Sequence, residues 1–453
     1  MSERTVAAIA TPFGEGGIGV IRISGDKAIE VADKCFTAYS GKRLCELSGY
    51  EAAYGKMHNN GDKLDDGVAL VFKGPKSYTG EDVVELSVHG GRLVVKSVLR
   101  AVLESGADLA EAGEFTKRAF LNGKLDLSRA ESVMSIISAG NDTALRISRA
   151  AKDGRVSREI EGIIEQLLET AASIAVYSDY PDEDILGLNE ENFLKMLESA
   201  MAKTENLLST YDAGKVVREG IDCAIVGKPN VGKSTLMNLL TGTDRSIVTD
   251  IAGTTRDVIE ETVTLGDITL RLADTAGIHT TSDTVENVGV ERAKSKLRDA
   301  DLIFAVFDSA AGLDTDDMEL IESIKDRNSI VILNKTDLKT KIDKSVFEEL
   351  FVVEISAKKG EGIENLQKAV EEITKVSLID PNAAVLISEH QRACTQRAYT
   401  ALYEGAQAFS MGCTLDAVGV CIDDALAALL ELTGKRVTNE VTDEIFRRFC
   451  VGK

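Results

Sequence analysis

A short glycine-rich stretch constrains this chain more than any other feature. Residues Gly227–Ser234 fit the pattern G-x-x-x-x-G-K-S/T, in which backbone N–H groups surround phosphate oxygens. The apolar run Ile221–Val226 predicts a buried strand before this phosphate loop, and Thr235–Leu240 predicts a helix after it. The helix N-terminus adds partial positive charge at the phosphates. The stretch therefore predicts a nucleoside triphosphate site, with Lys233 on the β- and γ-phosphates and Ser234 on Mg²⁺.

Four further motifs follow the phosphate loop in the order that GTPases have them. They are Thr249–Asp257, Asp274–Gly277, Asn334–Asp337 and Ser356–Lys358. Asp337 can accept two N–H bonds from guanine, and leaving such a pair unmade is costly. Asp274 can hold Mg²⁺ through water, and Thr255 can complete the Mg²⁺ shell. The ordered set predicts that the ligand is GTP.

One position departs from the Ras-like pattern. Ras-like enzymes place Gln after Asp-x-x-Gly to orient the attacking water, but this chain has Ile278, which can neither donate nor accept. Another group must position the water, and a further cation could offset the charge of the transition state. Glu286 and Asp283 are nearby carboxylates, and each could equally be a surface acid. The motifs alone do not choose between them.

Charge and hydropathy narrow the class of protein. The chain has 453 residues and a net charge of −22, so we expect two to four domains and no general nucleic-acid binder. No apolar run reaches the length of a membrane span, and Met1–Arg4 does not begin a signal peptide. The seven cysteines form no C-x-x-C pair, and with four histidines they offer no zinc spacing. We expect a cytoplasmic protein without a membrane segment.

The chain divides by pattern into mixed α/β and helical parts. The prediction is an α/β domain over residues 1–119, a helical domain in two halves over 120–214 and 379–453, and an inserted Ras-like G domain over 215–378. The fold class is thus α/β and α, in several domains. Gly14–Gly19 formally matches a dinucleotide fingerprint, but a β-branched run follows where that motif needs a helix. A β-hairpin is therefore predicted there.

Two charged stretches have alternative explanations. Basic residues recur every third position from Arg146 to Arg158, which favours a solvated face over an RNA-facing patch. The acidic run Asp179–Asp184 favours a helix start over a metal site.

Beyond the GTPase motifs, the chain resembles the MnmE/TrmE family of tRNA-modification GTPases along its whole length. The stretches that carry the resemblance are Arg22–Gly25, Tyr78–Val83, Gly113–Lys124, Thr249–Asp257 and Phe449–Lys453. They are more specific than the GTPase motifs, which ribosome-assembly GTPases share.

The resemblance implies an N-terminal folate-binding domain that dimerises, a discontinuous helical domain and an inserted G domain. With an MnmG-type FAD protein, in a heterotetramer, such proteins add a carboxymethylaminomethyl or aminomethyl group at carbon 5 of the tRNA wobble uridine. A 5-formyl-tetrahydrofolate-type cofactor is implied near Arg22, Glu85, Lys124 and Lys453. Cations there would suit the glutamate carboxylate of the folate, and a carboxylate its pterin N–H groups.

The resemblance also implies hydrolysis activated by K⁺ when two G domains pair. The implied K⁺ ligands are Asn230, Thr249, Ile251 and Thr254, and the implied Mg²⁺ ligands are Ser234 and Thr255. Glu286 is the implied water-positioning acid. Lys233, on the β- and γ-phosphates, is the other implied catalytic residue. The implied nucleotide contacts are Asn230, Val231, Gly232, Lys233, Ser234, Thr235, Thr249, Asp250, Ile251, Ala252, Gly253, Thr254, Thr255, Asp274, Thr275, Ala276, Gly277, Asn334, Lys335, Asp337, Ser356, Ala357 and Lys358.

Alternatives remain open at this stage. Cys450 is either a nucleophile or a buried structural residue, and the second is favoured. The protein as a whole could instead be a ribosome-assembly switch that binds RNA, or a folate-binding scaffold whose G domain regulates assembly. The acidic charge counts against the ribosome-assembly switch.

Overall fold

The computed structural model describes residues 4–179, 190–243, 261–273 and 300–453. The chain forms two compact units. The first unit consists of Met1–Met134, Lys152–Thr204 and Ser388–Lys453, and the second of Ser135–Ala151 and Glu205–Ile387. The division into three domains stays a prediction from the sequence.

The elements of the described residues are given in chain order. The strands are β1 Val6–Ile9, β2 Ile18–Ser24, β3 Phe36–Ala38, β4 Glu51–Asn59, β5 Asp62–Phe72, β6 Val83–His89, β7 Asp108–Leu109, β8 Ile221–Val226, β9 Glu261–Leu265, β10 Ile268–Ala273, β11 Leu302–Asp308, β12 Ser329–Asn334 and β13 Phe351–Glu354. The helices are α1 Ala28–Cys35, α2 Arg92–Glu104, α3 Glu114–Leu121, α4 Leu127–Ile137, α5 Asp142–Lys152, α6 Arg155–Asp179, α7 Glu190–Glu219, α8 Lys233–Thr243, α9 Thr315–Ile324, α10 Ile363–Ile373, α11 Glu389–Ser410, α12 Leu415–Thr433 and α13 Asn439–Arg447.

A mixed sheet forms the core of the first unit. Across its seven described strands the order is β3-β4-β5-β6-β2-β1-β7, and only the β1–β7 pair is parallel. The predicted hairpin is confirmed, because β1 and β2 pair directly with Val6 opposite Ser24. Apolar residues of α1 and α2 cover the sheet, including Val98 and Val102, which are buried. Where a strand alternates apolar and polar residues, its polar side chains point to the opposite face of the sheet and are available for polar contacts.

A parallel sheet forms the core of the second unit. Its six described strands follow the order β13-β12-β11-β8-β10-β9, and only β9 is antiparallel to its neighbour. All residues of β12 are buried, and β11 is buried from Leu302 to Phe307. Such continuous apolar runs are typical of strands that helices cover on both faces. The carboxyl ends of β8 and β12 therefore lie at one edge of this sheet, where the phosphate loop and Asn334 follow.

The structure refines several of the predictions about helices and charged stretches. The predicted helical half over 379–453 does not begin with a helix. Leu386 and Ile387 are buried residues that precede α11, because Ser388 caps that helix by accepting from Gln391 N. The basic residues from Arg146 to Arg158 are exposed, and they lie on two helices because the chain turns at Gly154, with φ 81°. The acidic run lies almost wholly outside the described residues. Among the helices that the structure describes, none is both long and apolar enough to cross a bilayer.

Candidate functional sites

The phosphate loop lies between β8 and α8, as its pattern predicts. Gly227 has φ 141°, and a Cβ on it would lie 2.3 Å from Val306 O. Gly232 has φ 105°, and a Cβ there would lie 2.1 Å from Asn334 Nδ2. Both the backbone angle and the close approach require glycine. The loop is thus held as a narrow backbone turn at the start of a helix, which is the arrangement that receives an anion.

Lys233 is the first residue of α8 and points back across the loop. Its Nζ donates to Gly227 O and to Lys228 O, at 2.6 Å each. Burial lowers the pKa of Lys233 below its usual value, because desolvation disfavours the ammonium form. Two neutral carbonyls compensate this charge only in part, so an anion in the loop would restore a favourable environment for it.

Asn334 links the phosphate loop to a second loop. It ends β12, and its residue is only 3% exposed. Its Nδ2 donates to Val231 O at 2.9 Å, while its Oδ1 accepts from Ala357 N at 3.0 Å. Since both ends of one amide are used, the distance between the two loops is fixed. The side chain therefore positions both loops and does not face the ligand with a free polar group.

The Asp337 carboxylate lies at the same edge of the sheet. Ser356, which is fully buried, donates its hydroxyl to Asp337 Oδ1 at 2.9 Å. This bond fixes the carboxylate rotamer. An oriented carboxylate is suited to a planar ring with paired N–H donors, as on guanine.

Lys335 is held by contacts that the motifs do not reveal. It adopts φ 65°, donates to Asn230 O at 2.8 Å and pairs with Asp308 at 2.6 Å. Burial raises the pKa of Asp308, but the Lys335 ammonium and two backbone N–H groups outweigh it and hold that pKa below its usual value. Asp308 ends β11 and was not singled out from the sequence, because no motif marks it.

The structure places the predicted nucleotide residues in two groups. Brought together at the sheet edge are Asn230, Val231, Gly232, Lys233, Ser234, Thr235, Asn334, Lys335, Asp337, Ser356, Ala357 and Lys358. The predicted residues in Thr249–Thr255, Asp274–Gly277 and Glu286 lie outside the described residues, and so does Ile278. Of the first group, Asn230 and Ser234 are exposed, as a loop open to a ligand requires.

A second polar site lies in the first unit, where β2 and β6 pair. Arg22 and Glu85 are directly opposite each other in the register. Arg22 Nε donates to Glu85 Oε1 at 2.8 Å, and Arg22 Nη1 donates to Gly452 O at 3.2 Å. The guanidinium also lies 5.7 Å from the ring centroid of Tyr78 and 5.5 Å from that of Phe115. A cation between aromatic rings is a favourable arrangement. Both rings lie in stretches that carry the family resemblance, but their contact with Arg22 was not predicted.

The C-terminal tail completes this second site. Ala112 and Val451 form a β-bridge. Gly452 has φ 97°, and a Cβ on it would lie only 2.3 Å from Ile9 O, so this position requires glycine. Burial and the nearby charge of Arg22 lower the pKa of Lys453. Lys453 and Arg22 therefore make a local excess of positive charge, which Glu85 balances only in part.

Lys124 reaches a loop that contains Pro75. Its Nζ donates to Pro75 O at 2.9 Å, and its aliphatic stem runs beside Gly80. Lys124 thus contacts the stretch that contains Tyr78. Arg22 and Glu85 are hydrogen-bonded to each other, and the charges of both influence the pKa of Lys453. The structure brings three of these four predicted residues into one cluster.

A network of charged side chains around Arg118 joins the segments that form the second site. The Arg118 residue is 4% exposed, and its guanidinium pairs with Glu81 at 2.9 Å and with Glu114 at 2.8 Å. Ser24 donates to Glu81 at 2.7 Å. Three of the stretches that carry the family resemblance thus contact each other, although the sequence analysis did not predict this.

The expectation that Cys450 is buried is wrong. Cys450 is exposed, although its carbonyl accepts from Gly113 N at 3.3 Å. The tail is held by its backbone, so the side chain need not be buried. Its exposure leaves the alternative role of a nucleophile open.

Comparisons with known proteins cover the whole chain. A family model described as the GTP-binding protein TrmE N-terminus matches residues 5–124, and one described as the MnmE helical domain matches residues 127–450. A tRNA modification GTPase MnmE of Clostridioides difficile (strain 630) is 42% identical over 457 residues, which cover 100% of this chain and 99% of that protein. The protein of the same description from Listeria welshimeri is 42% identical over 459 residues, with 100% of both chains covered.

A shorter likeness concerns the nucleotide-binding part. The crystal structure of Aquifex aeolicus Era bound to GDP.AlF4- is 31% identical to this chain and covers 40% of it and 66% of the Era chain. Its TM-score is 0.26, which is too low to support a structural argument.

Proposed function

Because this chain belongs to the MnmE family of tRNA modification GTPases, we propose that it hydrolyses GTP to drive modification of the tRNA wobble uridine at carbon 5. In this proposal it acts as a homodimer with an MnmG-type FAD protein and adds a carboxymethylaminomethyl or aminomethyl group. The G domain supplies the energy, and the first unit binds a folate.

One observation carries the GTP part of the proposal. The Asn334 amide joins Val231 O of the phosphate loop to Ala357 N, at 2.9 and 3.0 Å. A phosphate cradle and a loop suited to guanine are therefore held at a fixed spacing at one edge of a parallel sheet, which is where nucleotides bind in such folds. The chemistry of the donors fits GTP, since Lys233 is a half-buried cation whose partners in the described residues are carbonyls.

Each group has a defined role in the proposed hydrolysis. Lys233 and the loop N–H groups hold the β- and γ-phosphates, and Asp337 selects guanine. Ser234 and Thr255 hold Mg²⁺, which neutralises phosphate charge. Glu286 orients the attacking water, in place of the glutamine that Ile278 replaces.

A K⁺ ion is proposed as the additional cation. The chemistry that K⁺ supplies is positive charge at the transition state, where Ras-like enzymes receive an arginine. Its proposed ligands are Asn230, Thr249, the Ile251 carbonyl and Thr254. Asn230 supports this role, because it lies in the exposed loop and Lys335 holds its backbone.

The GTPase proposal is tested by the cation dependence of turnover. GTP hydrolysis by the purified full-length protein is measured in KCl and in NaCl, and we expect much faster turnover in KCl. Glu286→Ala should retain GTP binding and lose turnover, whereas the exposed acid Glu319 of α9, changed to alanine, should leave both unchanged. Equal rates in the two salts would remove K⁺ from the mechanism, and normal turnover of Glu286→Ala would remove Glu286.

The tRNA part is tested in cells. Nucleosides of total tRNA are analysed from a strain that lacks the gene, complemented with the wild type or with Glu286→Ala. We expect unmodified wobble uridines in the deletion strain and recovery only with the wild type. Normal wobble uridines in the deletion strain would instead favour a role in ribosome assembly.

A folate is proposed to bind beside Arg22. The cationic excess of Arg22 and Lys453 suits a carboxylate, and Glu85 suits ring N–H donors; the contacts of Arg22 with Glu85 and Gly452 O support this placement. Lys124 is proposed to complete the site. Calorimetry with 5-formyl-tetrahydrofolate should show binding to the wild type and a large loss in Arg22→Ala. The exposed Arg100 of α2 gives a matched control as Arg100→Ala, and equal affinity of all three proteins would refute the site.

A further inference from the structure

Three side chains that commonly bind metals meet in the first unit, and none belongs to either site described above. His390 and Cys394 lie on α11, and Glu431 lies on α12. Cys394 Sγ is 3.5 Å from His390 Nε2 and 3.7 Å from Glu431 Oε1. His390 Nε2 is 3.9 Å from the same Glu431 oxygen. One nitrogen, one sulfur and one oxygen therefore surround a common point.

The spacing of these atoms matches a tetrahedral metal. Zn²⁺ binds sulfur at about 2.3 Å and nitrogen or oxygen at about 2.0–2.2 Å, so tetrahedral ligand atoms lie about 3.4–3.6 Å apart. Of the three observed distances, 3.5 Å lies within that range, and 3.7 and 3.9 Å exceed it by a few tenths of an ångström at most. Small rotations of the exposed end of Glu431 would close the difference.

The other ring nitrogen of His390 has the environment of a metal-bound imidazole. His390 Nδ1 is buried and makes no hydrogen bond within the described residues, and it lies 3.3 Å from Glu131 Oε1. Glu131 is itself held, since Ser388 and Gln391 donate to its two oxygens at 2.9 and 2.8 Å. In metal sites a carboxylate beside Nδ1 accepts its proton and leaves Nε2 for the metal, and Glu131 lies at the position for this role. The outer shell of a metal site is thus present.

Charge and burial also fit a divalent cation. Arg397 donates to Glu431 Oε2 at 2.7 Å and to Cys394 Sγ at 3.4 Å, which leaves Glu431 Oε1 available. Three groups of the cluster carry negative charge when Cys394 is a thiolate, namely Cys394, Glu131 and Glu431. A divalent ion and Arg397 together supply three positive charges, which balance them. Cys394 is 1% exposed, whereas the Glu431 side chain is 26% exposed, so the cluster opens to solvent on one side.

We propose that His390 Nε2, Cys394 Sγ and Glu431 Oε1 bind one Zn²⁺, with water in the fourth position. A thiolate disfavours Mg²⁺ and Ca²⁺, and the mixed nitrogen, sulfur and oxygen set is typical of zinc. Three protein ligands with an open position distinguish this site from a closed structural one. The ion joins α11 to α12 and, through Glu131, orients α4 against them.

No sequence motif marks this site, because its three ligands include one cysteine and no C-x-x-C pair. His390 and Cys394 have the i, i+4 spacing that places two side chains on one helix face. Glu431 follows 37 residues after Cys394, on the next helix. Only the packing of α11 on α12 brings the third ligand near.

Cobalt titration tests the site directly. Co²⁺ replaces zinc in such sites, and a thiolate bound to it gives a near-ultraviolet charge-transfer band that Mg²⁺-type sites cannot give. Full-length protein without an affinity tag should develop this band to saturation at one equivalent, and Zn²⁺ should abolish it. Cys394→Ser should lose the band. Cys421 lies on α12 outside the cluster, so Cys421→Ser should keep the cobalt band.

A second variant protects the test against misfolding. Glu431→Gln keeps the thiol and a hydrogen-bonding side chain, and it should weaken Zn²⁺ binding by at least about 10-fold, the smaller effect known for losing an outer-shell partner. Circular dichroism checks the fold of each variant. The proposal is wrong if the wild type shows no thiolate–cobalt band, if Cys394→Ser retains it, or if Glu431→Gln binds zinc as tightly as the wild type.

Discussion

The Asn334 bridge gives the sharpest prediction for nucleotide binding. Asn334→Ala removes the partners of Val231 O and Ala357 N, in residues that are 7% and 5% exposed. An unpaired buried polar group costs about 1–3 kcal/mol. In the free protein, water can enter the open loop and relieve this cost. GTP excludes that water, so the cost should appear mainly on binding.

The expected size of the effect follows from the lower end of that range. Two groups at about 1 kcal/mol each give about 2 kcal/mol, which is about 30-fold in Kd. Titration with a fluorescent GDP analogue measures the affinity, and thermal denaturation of the free protein measures the stability. We expect weak binding with a small change in Tm.

A matched control lies at the other end of the same strand. Asn328 precedes β12, is exposed, and contributes its backbone carbonyl to Ile303 N. Asn328→Ala should bind the GDP analogue like the wild type. If Asn334→Ala also bound within about 3-fold of the wild type, the spacing of the two loops would not control affinity, and the argument from the bridge would fail.

Three further predictions test other parts of the structure. Gly232→Ala should abolish binding of the GDP analogue, because a Cβ would lie 2.1 Å from Asn334 Nδ2. Gly242 on α8 has open space around it, so Gly242→Ala should bind normally. Equal binding by the two variants would contradict the close approach. Arg118→Ala should lower the free energy of unfolding by about 3–5 kcal/mol in denaturant titration, since the buried Glu114 and the half-buried Glu81 lose their partner, and Arg100→Ala should change it little. The lowered pKa of Lys453 means that the unfolded chain binds its proton more tightly, so this lysine costs stability at neutral pH and the cost fades as pH rises through the lowered value. Lys453→Met should therefore raise Tm at neutral pH, with a difference that shrinks at alkaline pH; a constant difference would oppose this reasoning.

The sequence predicted what depends on neighbours in the chain. The strand before the phosphate loop, the helix after it and the hairpin at Gly14–Gly19 follow from local periodicity and glycine placement. The guanine motifs predicted which residues meet at the sheet edge, because parallel strands end at the same edge.

The sequence did not predict contacts between distant residues. Asn334 was expected at the nucleotide, but its partner Val231 is 103 residues away, and only the fold shows that its amide is fully used. Asp308 carries no motif, and the stretch that contains Tyr78 does not name its partner, so the contacts of these residues with Lys335 and Arg22 depend on packing. Arg22 was grouped with Lys453 only through the family resemblance. Cys450 was misjudged because exposure of one tail residue depends on which backbone groups the tail uses.

The contact between Arg22 and Gly452 O joins residues that are 430 positions apart. During translation, β2 emerges long before its partner in the tail, so the cluster around Arg22 is assembled only after nearly all of this chain has left the exit tunnel. A chain that stops early has the strands but lacks the carbonyl that Arg22 contacts.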